Sequence, residues 1–351
     1  MTAQTSQNNA TYYPWFDWLR FILAFTVLLS HSQVFAWHNA GHLAVQVFFA
    51  LSGWLIGSIL LGTDIHGIPR FYFNRATRIW IPYALALGLL LALSMFRDSI
   101  SPKYLEFVLY KLTFVYDRFG TPQLGSSQYM PLHGTGNHFW SICTEEQFYL
   151  LSPLLLVFAP SELGRSKILW SILACFAVAL DEFGAICLGV FAAVLSRKHG
   201  PWHQSVIAKT CLLMLMIVTT AVMRAETLRY ELVSPFFAIS VVLLLATEGK
   251  PSTVGRFLGG MSYPLYLNQW IGVFATHFAL KQFGMRTSIL ATILSAATSL
   301  AFCSFLYLVV DSQVIARRAT WYSRRLGWTL AGVGYVLIAI GSVTGVCLAH
   351  N

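Results

Sequence analysis

The sequence predicts an all-α, polytopic integral membrane bundle of about 10–11 transmembrane helices. Two observations carry that expectation. Of 351 residues, 56% are hydrophobic and only 11% are charged, with a mean hydropathy of +0.63. A soluble domain ordinarily carries about 25% charged residues, so this chain has too little polar surface to cover a globule. The second observation is the recurrence of apolar runs long enough to cross a bilayer. Together they exclude a soluble enzyme, a disordered chain and a nucleic-acid module. The net charge of +9 then reads as the Lys and Arg excess of cytoplasmic loops rather than as a polyanion-binding surface.

The runs lie at 15–36, 41–61, 79–96, 138–159, 204–223, 232–247, 257–280, 287–310 and 327–349. Residues 1–14 are polar and contain no Lys or Arg, so no cleavable signal is expected and they form a cytoplasmic tail ahead of the first span. The stretch 167–196 is apolar except for Asp181 and Glu182. It reads as two short spans meeting at that pair, because adjacent carboxylates in lipid are costly. Residues 101–116 mix Lys103, Glu106 and Lys111 with apolar side chains and suit an interfacial amphipathic helix. The longest loop is 117–137, with Gly120, Pro122, Gly125, Pro131, Gly134 and Gly136. RFYFNRATRIW at 70–80 reads as an inner loop, 311–326 as a basic cytoplasmic loop, and 327–351 as an additional C-terminal span.

With the N-terminus in the cytoplasm, inner loops hold thirteen Lys and Arg and outer loops, Arg286 among them, hold eight. No internal repeat marks an inverted-repeat transporter. The cysteines and histidines lack ligand spacing, so no metal site is expected.

Ionisable residues inside spans are the functional pointers, since each must be paired, hydrated or used. In WFDWLRFILAFTVLLSHS (15–32), Arg20 and His31 are eleven residues apart and share a face at about 16 Å along the axis. Asp17 lies one turn before Arg20 and suits it as a partner. A lone intramembrane His is commonly a satisfied core residue; alignment with an Arg makes this one a catalytic candidate. His38 and His42 fall beyond the helix end, where water is their expected surrounding. In HFWSICTEEQFYLL (138–151), His138, Ser141 and Glu145 share a face and Glu146 lies about 100° round. One carboxylate is free to orient His31 while the other holds an Arg. Arg75 and Arg78, one turn apart, suit either a membrane-surface anchor or a phosphate ligand held bidentately. Ser52 and Gly53 sit in FFALSGWLIG (48–57), where small residues let helices approach. GGMSYPLYLNQW (259–270) carries Tyr263, Pro264, Gln269 and Trp270, and a proline there frees backbone groups that line a cavity or find new partners.

LRFILAFTVLLSH, VFFALSGWLIG, RFYFNRATRIW, FWSICTEEQFYLL and MSYPLYLNQW resemble, in order, the successive motifs of the membrane acyltransferase-3 family over residues 15–310. The resemblance implies a bacterial multi-span enzyme of the inner membrane. Such enzymes move an acyl group, most often acetyl, from cytoplasmic acyl-CoA to a hydroxyl of a glycan or lipid-linked saccharide. His31 matches the essential histidine and Arg20 the preceding arginine. Arg75 and Arg78 match the Arg-x-x-Arg pair expected at the CoA phosphates. Ser52 and Gly53 match the Phe-Phe-x-x-Ser-Gly segment, and Glu145 and Glu146 the Glu-Glu-Gln-Phe-Tyr segment. One departure stands out: many members carry His before the last Trp, where this chain has Gln269 before Trp270.

The expected mechanism has His31 as general base, Glu145 or Glu146 orienting its imidazole, and Trp140, Tyr149, Tyr263 and Trp270 along the acceptor path, with Ser141 a further residue of the motif. Acyl-CoA is a co-substrate, and no permanently bound cofactor is expected. The chain ends soon after its last span, so no appended esterase-like domain is expected either. The alternative is an exporter or proton-coupled transporter with His31, Glu145 and Glu146 as a proton relay.

Overall fold

The computed structural model describes residues 12–120, 126–180, 183–281 and 288–349. Asp181, Glu182, Arg286, Pro122, Gly125 and most of the 1–14 tail lie outside them. Every described element is helical. α1 (Pro14–His31) and α2 (Ala40–Leu61) form an antiparallel pair. α3 (Ile68–Ser94) leads to the short α4 (Pro102–Leu112) and α5 (Tyr116–Phe119). Three single turns then run into α6 (Trp140–Pro153), which ends in a π-helical turn over Leu154–Phe158. α7 (Ser161–Gly164), α8 (Lys167–Ala179) and α9 (Gly184–His199) follow. After them come α10 (Val206–Ala225), α11 (Tyr230–Leu245) and the long α12 (Thr253–Lys281). α13 (Ile289–Leu306) passes through a second π turn, Tyr307–Asp311, into α14 (Ser312–Trp321), and α15 (Arg324–Ala349) closes the described chain.

Local chemistry sets these starts. Proline opens α1, α3 and α4, where its missing N–H costs nothing. Ser101, Ser166, Ser205 and Ser288 cap α4, α8, α10 and α13 by accepting a backbone N–H of the first turn. Among the described residues five stretches are long and apolar enough to cross a membrane: α2, α3 with its preceding turn, α10, α13 through α14, and α15; α8 and α11 are shorter apolar helices. The protein is a helical membrane bundle.

Small residues set the core. α2 lies against α9 so closely that a Cβ on Gly53 would stand 2.1 Å from the Ile186 carbonyl oxygen, and one on Gly189 2.3 Å from that of Ala50. α12 meets α1 through Gly255, beside Trp18, and Gly259, beside Asp17; on its other side Gly272 abuts Ser299 of α13. In lipid such close contact replaces the hydrophobic drive that water supplies to soluble bundles. Pro153 and the π turn break the backbone ladder: Leu154 N bonds Leu151 O, and the Leu150 carbonyl accepts instead from Tyr335 (2.6 Å) and Tyr72 (3.3 Å). α6 is thereby tied to α15 and α3.

Four expectations change. RFYFNRATRIW is not a loop but the first turns of α3, so Arg75 and Arg78 stand on the spanning helix itself. The basic stretch 311–326 is largely helical, as α14 and the start of α15. The loop 117–137 is built of short helical turns where it is described. Lys111, placed at the interface by its charge, is 1% exposed. Its ammonium donates to Gly136 O at 2.9 Å and lies 3.3 Å from the Tyr116 ring centroid. Burial pushes it down to about 7, and the carbonyl and ring partly offset that cost. The break at 181–182 falls between α8 and α9, though the pair itself is not described.

Gly53→Val should destabilise the bundle by about 1–3 kcal/mol through overpacking against α9. Gly88→Ala, which meets nothing within 4 Å, should leave it unharmed. Thermal unfolding of both purified variants in detergent distinguishes the two outcomes.

Candidate active site

The polar residues converge because four helices turn one face inward. Gly53 is spent on the contact with α9, so its neighbour Ser52, about 100° round, faces the bundle interior. There Ser52 Oγ donates to Glu145 Oε1 at 2.6 Å, and Tyr149 OH donates to Glu145 Oε2 at 3.1 Å. Ser141, Glu145 and Tyr149 follow at helical spacing along α6. Arg20 of α1 pairs with Asp17 at 3.2 Å, and Asp17 also accepts from Tyr12 OH. Arg75 and Arg78 come in from α3.

Arg20, Ser52, Arg75, Arg78, Ser141, Glu145 and Tyr149 line one cavity together with Phe48, Phe49, Tyr263 and Tyr266. Its electrostatics are lopsided. Arg20, Arg75 and Arg78 are close enough to repel one another, while Glu145 is the carboxylate that faces them within the cavity. Glu145 is already engaged by two hydroxyls. Arg75 Nε is buried without a hydrogen-bond partner, and its guanidinium rests 5.9 Å from the Tyr149 ring and 6.0 Å from that of Phe71. The second π turn aims buried Asp311 toward Arg78. Like charges held this way out of water form a standing site for an anion.

His31 lies at the other end of α1, exposed yet closely surrounded by protein, as at the floor of an open cleft. Its ring stands 5.5 Å from that of His138. Gln269 faces it, although Gln269 Oε1 closes no full hydrogen bond. His138 Nε2 is 3.4 Å from Leu267 O. Tyr266 OH bonds Ser141 Oγ at 2.6 Å and donates to His138 O at 3.0 Å. The arginine cavity is thus one residue layer from the histidine pair. Among the described residues neither Glu145 nor Glu146 bonds His31, which corrects the expectation that one orients it. The reason is axial: His31 faces the start of α6, and Glu145 lies seven residues, about 10 Å, further along. Glu146 is 2% exposed and turned toward Trp80, with its Oε2 and Trp80 Nε1 both unbonded.

A second cavity opens at the histidine end between α2, α5, α6, α8, α9 and α11. His42, Gln46, Asp117, Asn137, Trp140, Thr144 and Glu231 line it. Asp117 accepts from Gln147 Nε2 at 2.8 Å and from Thr144 Oγ1 at 3.3 Å. Burial pushes its carboxyl up to about 6, against the pull of Arg118 and those bonds. His42 does not simply face water: it stacks on Trp140 at 5.7 Å and meets Tyr230 edge-on at 5.4 Å. Phe49 lines both cavities.

Of the residues singled out in the sequence, Arg20, Ser52, Arg75, Arg78, Ser141, Glu145, Tyr149 and Tyr263 meet in the first cavity, and Trp140 lines the second. His31, Gly53, Glu146, Gln269 and Trp270 line neither; Trp270 packs edge-on against Phe274. His138, His42 and Asp117 belong beside the candidates although the sequence did not single them out. His138 carried a usable signal, its shared face with Ser141 and Glu145.

The sequence model of the acyltransferase-3 family, described as an acyltransferase domain, matches residues 13–308. The chain belongs to that family. A Bacillus subtilis protein named "Putative peptidoglycan O-acetyltransferase" is 33% identical over 164 residues, 42% of this chain and 24% of that protein. The "Peptidoglycan O-acetyltransferase" of Listeria monocytogenes is 28% identical over 174 residues, 44% of this chain and 26% of its own length. The chain therefore spans about a quarter of these relatives. No solved structure matches it.

Glu145→Gln should lower the unfolding temperature by several degrees, because it leaves the cavity's guanidiniums without their facing charge. Glu146→Met should be neutral or stabilising, because a buried carboxyl with an unbonded oxygen gives way to an apolar side chain of similar size. Equal losses in a thermal scan of the two variants would contradict this assignment.

Proposed function

We propose that this acyltransferase moves an acetyl group from cytoplasmic acetyl-CoA to a hydroxyl of a glycan acceptor, peptidoglycan or a lipid-linked saccharide, in a bacterial inner membrane with the N-terminus inside. The observation that carries this is the arrangement along α1. Arg20, with Arg75 and Arg78 from α3, lines one cavity, and a histidine pair stands beyond it, about 16 Å along α1 from Arg20. Arg75 and Arg78 suit the coenzyme phosphates, with Arg20 further along the arm, so that the thioester points toward His31.

The acceptor oxygen attacks the thioester carbonyl carbon as His31 takes its proton. The carbon–sulfur bond breaks, and the departing thiolate receives that proton from the imidazolium. His138 and Gln269, rather than a carboxylate, are the groups placed to orient His31, and Gln269 suits the task of the histidine found there in many members. The second cavity, with aromatic faces beside Asp117, Asn137 and Glu231, has the chemistry of a sugar site and gives the acceptor its own approach. A proton relay through His31 and both glutamates draws no support, since the bonds of Glu145 stop at Ser52 and Tyr149.

Purified protein given labelled acetyl-CoA and peptidoglycan fragments should release CoA only with acceptor present. His31→Ala should cut transfer by about 10²–10⁴-fold, and transfer at the wild-type rate would sink the mechanism. Asp117 is a carboxylate above about pH 6 and an acid below it. The KM for the acceptor should therefore rise as pH falls through about 6. Asp117→Asn should flatten that dependence at the weaker level, as steady-state kinetics between pH 5 and 8 would reveal.

A further inference from the structure

The family match ends at residue 308, but the chain continues into α14 and α15, and these return to the arginine end of α3. The Arg70 guanidinium lies 5.0 Å from the Tyr322 ring centroid, and Phe73 meets the same ring edge-on at 5.4 Å. α15 begins flush against α3, since a Cβ on Gly327 would stand 2.2 Å from the Pro69 carbonyl oxygen. Docked this way, α14 brings half-buried Arg318 close enough to Arg70 and Arg78 to repel both, and it acts on Arg75 as well.

Arg70 and Arg78 are eight residues, about 12 Å, apart along α3, and Arg318 approaches both from the facing helix. Among the described residues no carboxylate forms an ion pair with any of these four arginines. Glu145 and Asp311 face Arg78 from the interior, and no acidic group acts on Arg318. Arg75 Nε is buried and unbonded. An ordinary membrane-surface anchor needs scattered cations in water. Here half-buried Arg318 and the buried Arg75 come together beside exposed Arg70, where their repulsion persists until a multiply charged anion enters.

We infer that Arg318, with Arg70, forms a second phosphate subsite at the mouth of the arginine cavity, and that it takes the 3′-phosphate of the CoA nucleotide while Arg75 and Arg78 hold the pyrophosphate. The inference rests on acyl-CoA being the donor, as proposed above. An anionic lipid headgroup offers the same phosphate chemistry from the bilayer.

The test compares acetyl-CoA with acetyl-3′-dephospho-CoA on full-length protein in neutral detergent, by transfer kinetics and by the thermal shift each free coenzyme causes. Wild type should favour acetyl-CoA by about tenfold in KM, and Arg318→Ala should bring that ratio close to one. Arg318→Lys should restore it in part. Arg70→Ala provides the same readout should the Arg318 variant fail to fold. A ratio that survives both alanine variants overturns the inference. So does a loss in Arg318→Ala of stabilisation by phosphatidylglycerol alone, with the coenzyme ratio intact, which would assign the subsite to lipid. If neither coenzyme is turned over by wild type or shifts its unfolding, the donor proposal itself has failed.

Discussion

Guanidiniums held inside a membrane bundle are the constraint that the rest of the structure answers. Each is costly in hydrocarbon, and Arg20, Arg75 and Arg78 are gathered around one facing carboxylate, Glu145, within their cavity. The bundle tolerates this because the burden is divided. Arg75 and Arg78 stand on α3, which is apolar and long enough to span, whereas α1, α6 and α12 bring in Arg20, Glu145 and Tyr263 and are not among such helices. They are enclosed by helices that are: α2, two-thirds of whose apolar window is buried, and the more peripheral α10, α13 and α15. Polar helices in the middle and apolar helices outside invert the soluble pattern, as the solvent requires.

That enclosure depends on contacts made by the smallest side chains. Gly53 and Gly189 let two helices touch backbone to backbone, and Gly255, Gly259 and Gly272 do the same along α12. The consequence is directional as well as energetic. A residue next to a glycine that has been used for contact is turned by the helix pitch into the interior, which is how Ser52 comes to face Glu145. Pro153 plays the complementary part. By breaking the ladder of α6 it exposes a carbonyl that two tyrosines from other helices take up, so a local defect becomes a tertiary tie.

The fold class and most helices were legible because hydropathy reports burial in lipid directly. The arginine cavity was legible for a related reason: in a chain with 11% charge, each ionisable residue inside a span is informative. What was not legible followed from three-dimensional reach. The charge of RFYFNRATRIW disguised the start of a spanning helix, because hydropathy averages do not see that its arginines point into a protein cavity instead of lipid. The expectation of a His31–Glu contact failed because spacing within α1 and within α6 says nothing of the axial offset between them. His42 and Asp117 sit at helix ends, where sequence alone does not separate a packed side chain from a hydrated one.

Phe49 is the one side chain common to the linings of both cavities, with its ring set edge-on to Trp140 at 5.8 Å. A protein that, as proposed, takes donor and acceptor from opposite ends of a bilayer risks becoming a conduit for protons and small ions. A buried phenyl ring between the two cavities would act as a septum against that leak.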